Sequence, residues 1–334
     1  MPNSGEMTTV RLGMIGCGGI ARHHMNQLRD VPEAQIVALA DPSDEQIARC
    51  KRDFPALADV PVFADYREML EKVECDAVEI STPHTQHTQQ VLDSFAKGLH
   101  VMCEKPLATT TADCRKLVAA MNETGKVGLL AYQRHYVPMY QVIRDRIASG
   151  AYGEVNFFSA VLGQAWKRGT AGSWRQDPAL SGGGQINDSG SHVVDMMLYT
   201  TGVLPAEVTA YQDNRETPVD IDSAVSIKFE NGALGNISVL GDFPAWHEDF
   251  TIGCTRGGFL VRYGELTIVE NDGSKYVAKD LRGGSNPDRN FINAILGREP
   301  VLSTFEAALE VIHFTEAVWR SAELGGKPVR LADI

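Results

Sequence analysis

Val10-Arg11-Leu12-Gly13-Met14-Ile15-Gly16-Cys17-Gly18-Gly19-Ile20-Ala21 is the stretch from which the rest of the chain is read. Its first half is a mostly apolar run suited to a buried strand. Its second half, Gly16-x-Gly18-x-x-Ala21, is a glycine turn leading into a helix. The N-terminus of such a helix carries unpaired N–H groups and the positive end of a dipole, so it can receive a pyrophosphate. Gly16 allows the tight turn, Gly18 the close approach of a phosphate to the backbone, and Ala21 the close packing of helix on strand. Gly19 and Ile20 complete the cradle. Glycine turns between strand and helix also arise for steric reasons alone, so the residues that follow decide.

Residues 34–40 form a continuous apolar run of the kind found in parallel strands covered on both faces. The run ends at Asp41, 20 residues past Ala21. A carboxylate there can accept hydrogen bonds from a ribose diol and would repel a 2′-phosphate, which favours NAD over NADP. The plainer reading is that Asp41 opens the turn Asp41-Pro42. Ser43-x-x-Gln46 is a capping-box pattern that starts a helix running to Phe54, and Asp65-x-x-Glu68 offers a looser start for residues 66–72. Strands are expected at 77–83, 100–103 and 127–132, and helices at 84–97 and 110–124, the helices closed by Gly98 and Gly125. This alternation predicts a doubly wound α/β domain, a Rossmann dinucleotide-binding arrangement, over residues 1–132.

After Tyr132 the pattern changes. A helix at 138–149 is followed by β-rich segments at 154–162, 206–212, 224–230 and 233–240, with Asn231-Gly232 as a hairpin signal between the last two. Segments 250–254, 259–262 and 266–269 continue the series, and helices at 288–296 and 305–323 close it. Residues 133–334 are therefore expected to form an α+β domain.

Size and composition agree with two domains. The chain has 334 residues, 43% hydrophobic and 22% charged, as in ordinary globular proteins. A net charge of −12 argues against nucleic acid or an anionic membrane as partner. Met1-Pro2-Asn3-Ser4-Gly5-Glu6 lacks the basic-then-apolar order of a secretory signal, and no apolar run approaches bilayer-spanning length. The six cysteines are scattered without a C-x-x-C pair, which suits buried thiols in a reducing cytoplasm.

Three separated signals carry the chemistry. Ser81-Thr82-Pro83-His84-x-x-His87 ends one parallel strand and Glu104-Lys105-Pro106 ends the next. Asp188-x-x-x-His192 opens a helix in the second domain, after a long polar and aromatic connection (163–181) and Gly182-Gly183-Gly184. Parallel strands share one carboxyl edge, where the reversal of strand order creates a ligand crevice. A spacing of four residues places Asp188 and His192 on one helical face.

Together these pieces resemble the glucose–fructose oxidoreductase, inositol dehydrogenase and MocA-like family. The matching segments are Gly16-x-Gly18-x-x-Ala21, Thr82-Pro83-x-x-x-His87, Cys103-Glu104-Lys105-Pro106-Leu107-Ala108 and Gly183-Gly184-x-x-x-Asp188-x-Gly190-x-His192-x-x-Asp195. The resemblance implies a Rossmann domain followed by a domain with a large open, mostly antiparallel sheet. It also implies NAD(P)-dependent oxidation or reduction of a sugar, inositol or related polyol, in a homodimer or homotetramer. Lys105 matches the family's catalytic lysine, His192 its acid/base histidine, and Asp188 a residue that orients the imidazole or meets a substrate hydroxyl. An ammonium beside a developing alkoxide lowers the cost of removing its proton, and imidazole titrates near neutral pH. Ser81, Thr82, Pro83, His87 and Glu104 join the glycine turn as cofactor residues, with His87 packing against the cofactor edge or capping its helix. Gln133, Arg134, Trp166, Trp174 and Arg175 are candidate substrate contacts, with domain packing as their alternative role.

Taken singly, Lys105 reads as a solvated lysine, His192 as a satisfied histidine and Asp188 as a helix cap. A hydrolytic triad of Ser189, His192 and Asp195 is disfavoured because that spacing splays Asp195 away. His84-x-x-His87 and His23-His24 lack a matching third ligand, so no metal is expected. Two other activities share the family pattern: glycosidic cleavage through transient oxidation with retained NAD, and regulatory sensing without turnover.

Overall fold

In the computed structural model, which describes residues 8–334, β1 (Val10–Ile15) lies at the centre of a six-stranded parallel sheet. The reading of Met1–Glu6 falls outside the described residues. The other strands are β2 (Ala34–Ala40), β3 (Val62–Phe63), β4 (Ala77–Ile80), β5 (His100–Cys103) and β6 (Gly128–Leu130), in the order β3-β2-β1-β4-β5-β6. The order reverses between β1 and β4, as in a Rossmann sheet. Only the two-residue β3, too short to stand out as an apolar run, is missing from the sequence-based expectation.

Register defines the working edge of this unit. Ile15 pairs with Ala40 and with Ile80, Ile80 with Cys103, and Cys103 with Leu130. Gly16, Asp41, Ser81 and Glu104 are the residues that follow, so all four leave the sheet at its carboxyl edge. The helices meet their sequence signals closely. Ser43 caps Asp44–Asp53 by accepting from the Gln46 amide, and Asp65 caps Tyr66–Lys72 by accepting from Arg67.

The unit boundary is not the single cut expected after Tyr132. Residues 8–108 and 112–133 are joined by Ser285–Phe305, while Thr109–Thr111 goes with the second unit. The reason is packing: Phe291 and Ile292 on the helix Pro287–Ile295 are fully buried with Val10, Leu12, Ala77, Met102 and Leu129 on one face of the sheet. A parallel sheet needs both faces covered, and this late helix supplies part of one cover.

The second unit is built on β7 (Val155–Gly163), β8 (Pro205–Asp213), β9 (Asp222–Phe229), β10 (Leu234–Leu240), β11 (His247–Cys254), β12 (Gly257–Arg262), β13 (Glu265–Val269), β14 (Lys275–Val277) and β15 (Val329–Arg330). They form one nine-stranded sheet in the order β14-β13-β12-β11-β7-β10-β9-β8-β15, antiparallel except for the β7–β10 pair. Buried residues alternate with mostly exposed ones along β9 and with mostly half-buried ones along β10, so one face is packed and the other more open. Asn231-Gly232 turns the β9–β10 hairpin as expected. No helix among the described residues is long and apolar enough to cross a membrane.

Candidate active site

The candidate residues divide between the two units. In the first, Gly16 has φ +89°, and a Cβ placed on it would lie 2.6 Å from the Ser81 carbonyl, so only glycine fits where β1 and β4 end side by side. Ala21 is fully buried with Met14, Cys17 and Leu39, which brings helix Gly19–Leu28 tight against the sheet. Cβ atoms placed on Gly18 and Gly19 would meet nothing within 4 Å, and no side chain caps this helix at Gly18. A helix start without a side-chain cap, and with room beside its glycines, is what a pyrophosphate requires, so these residues fit a dinucleotide.

Asp41 opens its turn, the plainer of its two expected roles. One carboxylate oxygen accepts from the Cys17 amide at 2.7 Å and the other from the Ser43 amide at 2.8 Å. It thus opens its own turn and ties the end of β2 to the glycine turn. Each oxygen keeps a lone pair for a ribose hydroxyl.

Two other expected cofactor residues work from beneath. His87 is fully buried, with Nδ1 2.8 Å from the Pro106 carbonyl and Nε2 2.9 Å from the Thr82 carbonyl. In place of a contact with the cofactor edge, it links the segments following β4 and β5. Burial holds its pKa below the usual imidazole value, with the two carbonyls acting against that shift. Glu104 is also buried: Oε1 lies 3.0 Å from His24 Nε2, and Oε2 accepts the Lys105 amide at 3.1 Å. Its carboxylate is committed to protein partners.

His24, which has no third ligand nearby in sequence, sits within a buried cluster. Its Nδ1 is 3.0 and 3.2 Å from the two carboxylate oxygens of Asp288, and Glu79 on β4 faces the same group. His24, Glu79 and Asp288 offer metal-ligand atoms within 4.8 Å of one another, the only such group among the described residues. Both His24 nitrogens, however, already face carboxylates. Burial opposes charge on His24, but Asp288 and then Glu104 outweigh it and hold the ring as an imidazolium. Burial also opposes charge on Glu104, but His24 holds its carboxyl below the usual range. Asp288 comes from the late helix, so no spacing in the sequence could announce this cluster.

Glu79 is 1% exposed, and neither carboxyl oxygen has a hydrogen-bond partner among the described residues. Burial, reinforced by Asp288 and opposed by His24, pushes its pKa well up. The unfolded group ionises near pH 4.3, whereas the folded one keeps its proton to higher pH. The contribution of Glu79 to stability is therefore full below about pH 4 and falls as pH rises toward its folded pKa, by about 1.4 kcal/mol per unit. Glu79→Gln should match the unaltered protein in Tm near pH 4 and exceed it increasingly as pH rises above that. A Tm difference independent of pH would contradict this.

In the second unit Asp188 is the hub. Its Oδ2 accepts from Trp166 Nε1 at 2.9 Å and from Arg175 Nε at 3.0 Å, and the Arg175 guanidinium lies 4.5 Å from the Trp174 ring centroid. Three of the aromatic and basic residues singled out in the long connection are thus gathered around one carboxylate. Trp166 is 4% exposed and packed with Val219 and Ile221, so it positions Asp188 and does not offer a stacking face. Arg134 is likewise spent in a buried ion pair with Glu248, Nη2 to Oε2 at 2.7 Å. Gln133 is exposed.

The helix carrying His192 runs from Gly190 to Thr201, so Asp188 precedes it and does not share its first turn. The triple glycine explains how that approach is held. A Cβ on Gly184 would lie 2.0 Å from the Asp220 carbonyl, and one on Gly183 2.3 Å from the Trp319 ring. Asp220 accepts from the Gly184 and Ile186 amides and from Trp319 Nε1. The glycines let the chain pass against this buried carboxylate. Asp195 pairs with His135 Nε2 at 2.8 Å and Ser189 accepts from Gln164 at 2.8 Å, so the hydrolytic arrangement is not built.

An "Oxidoreductase family, NAD-binding Rossmann fold" matches residues 10–132, and a "GFO/IDH/MocA C-terminal domain" matches residues 140–260. The chain belongs to the Gfo/Idh/MocA family. As a member it is an NAD(P)-dependent oxidoreductase. Among similar curated proteins, a 4-carboxy-2-hydroxymuconate-6-semialdehyde dehydrogenase from Sphingobium sp. is 26% identical over 308 residues, 87% of this chain and 92% of its own. The rhizopine catabolism protein MocA of Rhizobium meliloti is 33% identical over 60% of this chain and 59% of its own. A levoglucosan dehydrogenase in complex with NADH and levoglucosan shares the fold, with a TM-score of 0.86 at 21% identity over 96% of this chain and 99% of that one.

Proposed function

We propose that this Gfo/Idh/MocA protein is an NAD-dependent dehydrogenase moving a hydride between the nicotinamide and a hydroxyl-bearing carbon of a sugar, inositol or related polyol. The observation that carries this reading is the shared carboxyl edge of the parallel sheet. There the open glycine turn, Asp41 and the Glu104-Lys105 corner leave β1, β2 and β5 together. NAD, when bound, supplies the hydride acceptor. Gly18 and Gly19 would hold its pyrophosphate through backbone N–H groups, and Asp41 would receive the ribose diol and repel a 2′-phosphate. Lys105 holds the reacting hydroxyl oxygen by its ammonium, and His192 accepts its proton. Asp188, oriented by Trp166 and Arg175, fixes the substrate hydroxyl or the imidazole.

Among the relatives, those named for levoglucosan and 1,5-anhydro-D-fructose support a carbohydrate substrate. The six free cysteines suit a cytoplasmic setting. The open face of the nine-stranded sheet, with Leu234 59% and Tyr211 65% exposed, suits a homodimer or homotetramer.

Incubation with NAD⁺ and a panel of aldoses, polyols, inositols, anhydrosugars and nitrophenyl glycosides tests the reading. Net NADH with a sugar or polyol is expected. Nitrophenol release without net NADH would make the protein a glycosidase, and binding without turnover a sensor. NADPH binding as tight as NADH would overturn the role given to Asp41.

A further inference from the structure

Lys105 is placed by its backbone, and that backbone is held from the core. Three residues far apart in sequence, 24, 104 and 288, form one continuous chain of contacts inside the first unit. Asp288, fully buried on helix Pro287–Ile295, faces His24 Nδ1, and His24 Nε2 faces Glu104 Oε1. Glu104 Oε2 then accepts the Lys105 amide. We propose that His24, seated on Asp288, is a positioning residue that sets the Glu104 carboxylate and through it the place of Lys105 at the edge of the sheet. This rests on the catalytic role given to Lys105 above.

The chemistry favours such a brace over a packing contact. A carboxylate that accepts from both a ring N–H and a backbone N–H has its rotamer fixed at two points. His24 can donate to both neighbours only with both ring nitrogens protonated, and two carboxylates facing a buried ring favour that state. The charged and titratable groups facing His24 are Asp288, Glu104 and Glu79, and Lys105 adjoins Glu104. His24 and Lys105 therefore belong to one rigid assembly, although His24 is 2% exposed and is not among the reacting groups.

The two isosteric amides of histidine separate the halves of the brace. Asparagine at 24 places an N–H donor near the Nδ1 position, keeping the Asp288 contact and losing the Glu104 contact. Glutamine places its donor near the Nε2 position and does the reverse. For the full-length protein, kcat and both KM values are measured with NAD⁺ and the panel compound oxidised fastest, together with Tm. The rate at which trinitrobenzenesulfonate modifies Lys105 in the cofactor-free protein is followed by peptide mass spectrometry. His24→Asn is expected to lower kcat by about 10- to 100-fold, with the KM for NAD⁺ within about twofold. It should also change the Lys105 modification rate by about threefold or more. His24→Gln should restore most of kcat and the original modification rate, although both variants lose Tm. If His24→Asn does not fold, Glu104→Gln, which leaves the His24–Asp288 contact in place, should show the same loss of kcat.

Equal falls in kcat for the two amide variants, or an unchanged kcat and modification rate in His24→Asn, would overturn the brace. If Lys105→Ala itself retains turnover, the reading of the site has failed. If Lys105→Ala is inactive while His24→Asn turns over normally, the brace alone has failed.

Discussion

Lys105→Ala is expected to lower kcat by about 10³-fold or more while leaving NAD⁺ affinity within a few-fold of the unaltered protein. The structure gives the reason for this split. The parts that fit the dinucleotide, Gly16, Gly18, Gly19 and Asp41, follow β1 and β2, whereas Lys105 follows β5. Truncating a side chain at the end of β5 leaves the glycine turn and the Asp41–Cys17 hydrogen bond in place. The Glu104 contact to residue 105 is made through the backbone and survives as well. What is lost is the ammonium that lowers the cost of taking a proton from the reacting hydroxyl. Titration with NAD⁺ followed by steady-state kinetics measures both quantities. A variant within tenfold of the unaltered kcat would remove Lys105 from the mechanism.

His192→Ala is expected to lower kcat by about 10²- to 10⁴-fold, the range for loss of a general acid or base. The prediction is sharpened by a second buried histidine of the same unit. His135 bonds to Asp195 at 2.8 Å, and its ring centroid lies 3.9 Å from that of Tyr199. His135→Ala leaves the buried Asp195 carboxylate without its partner and should be felt first as a fall in Tm. Kinetics and thermal melts on the two variants give the comparison. A His192→Ala variant that loses Tm but keeps kcat would make His192 a structural residue like His135.

The Rossmann half was legible because its signals are local. Alternating apolar runs, a capping Ser43 and Asp65, and the glycine turn each lie within a few residues of the structure they specify. Strand ends of a parallel sheet share an edge, so the juxtaposition of Gly16, Asp41, Ser81 and Glu104 followed from strand order alone. The hairpin at Asn231-Gly232 was legible for the same reason.

The roles that local sequence left open are those settled by partners distant in sequence. Trp166 and Arg175 look alike as aromatic and basic substrate contacts until Asp188 is seen to accept from both. Arg134 looks available until Glu248, 114 residues on, claims it. His87 has the right position for a cofactor contact but turns inward to two carbonyls. The His24–Glu104–Asp288 chain depends on a helix that returns to the first unit from residues 285–305, and its acids look like ordinary surface charges in the sequence. The triple glycine is plain in the sequence, but its cause, the close passage against Asp220 and Trp319, lies 36 residues or more downstream.

The central claim is that a hydride leaves a carbinol carbon of the substrate for the nicotinamide. It is tested most directly by mass spectrometry of the NADH formed when the panel compound oxidised fastest is supplied fully deuterated on carbon. Hydride transfer predicts one deuterium in every NADH produced, at a rate slowed by the heavier isotope when chemistry limits turnover. NADH without deuterium, or no net NADH from any sugar or polyol in the panel, would contradict it.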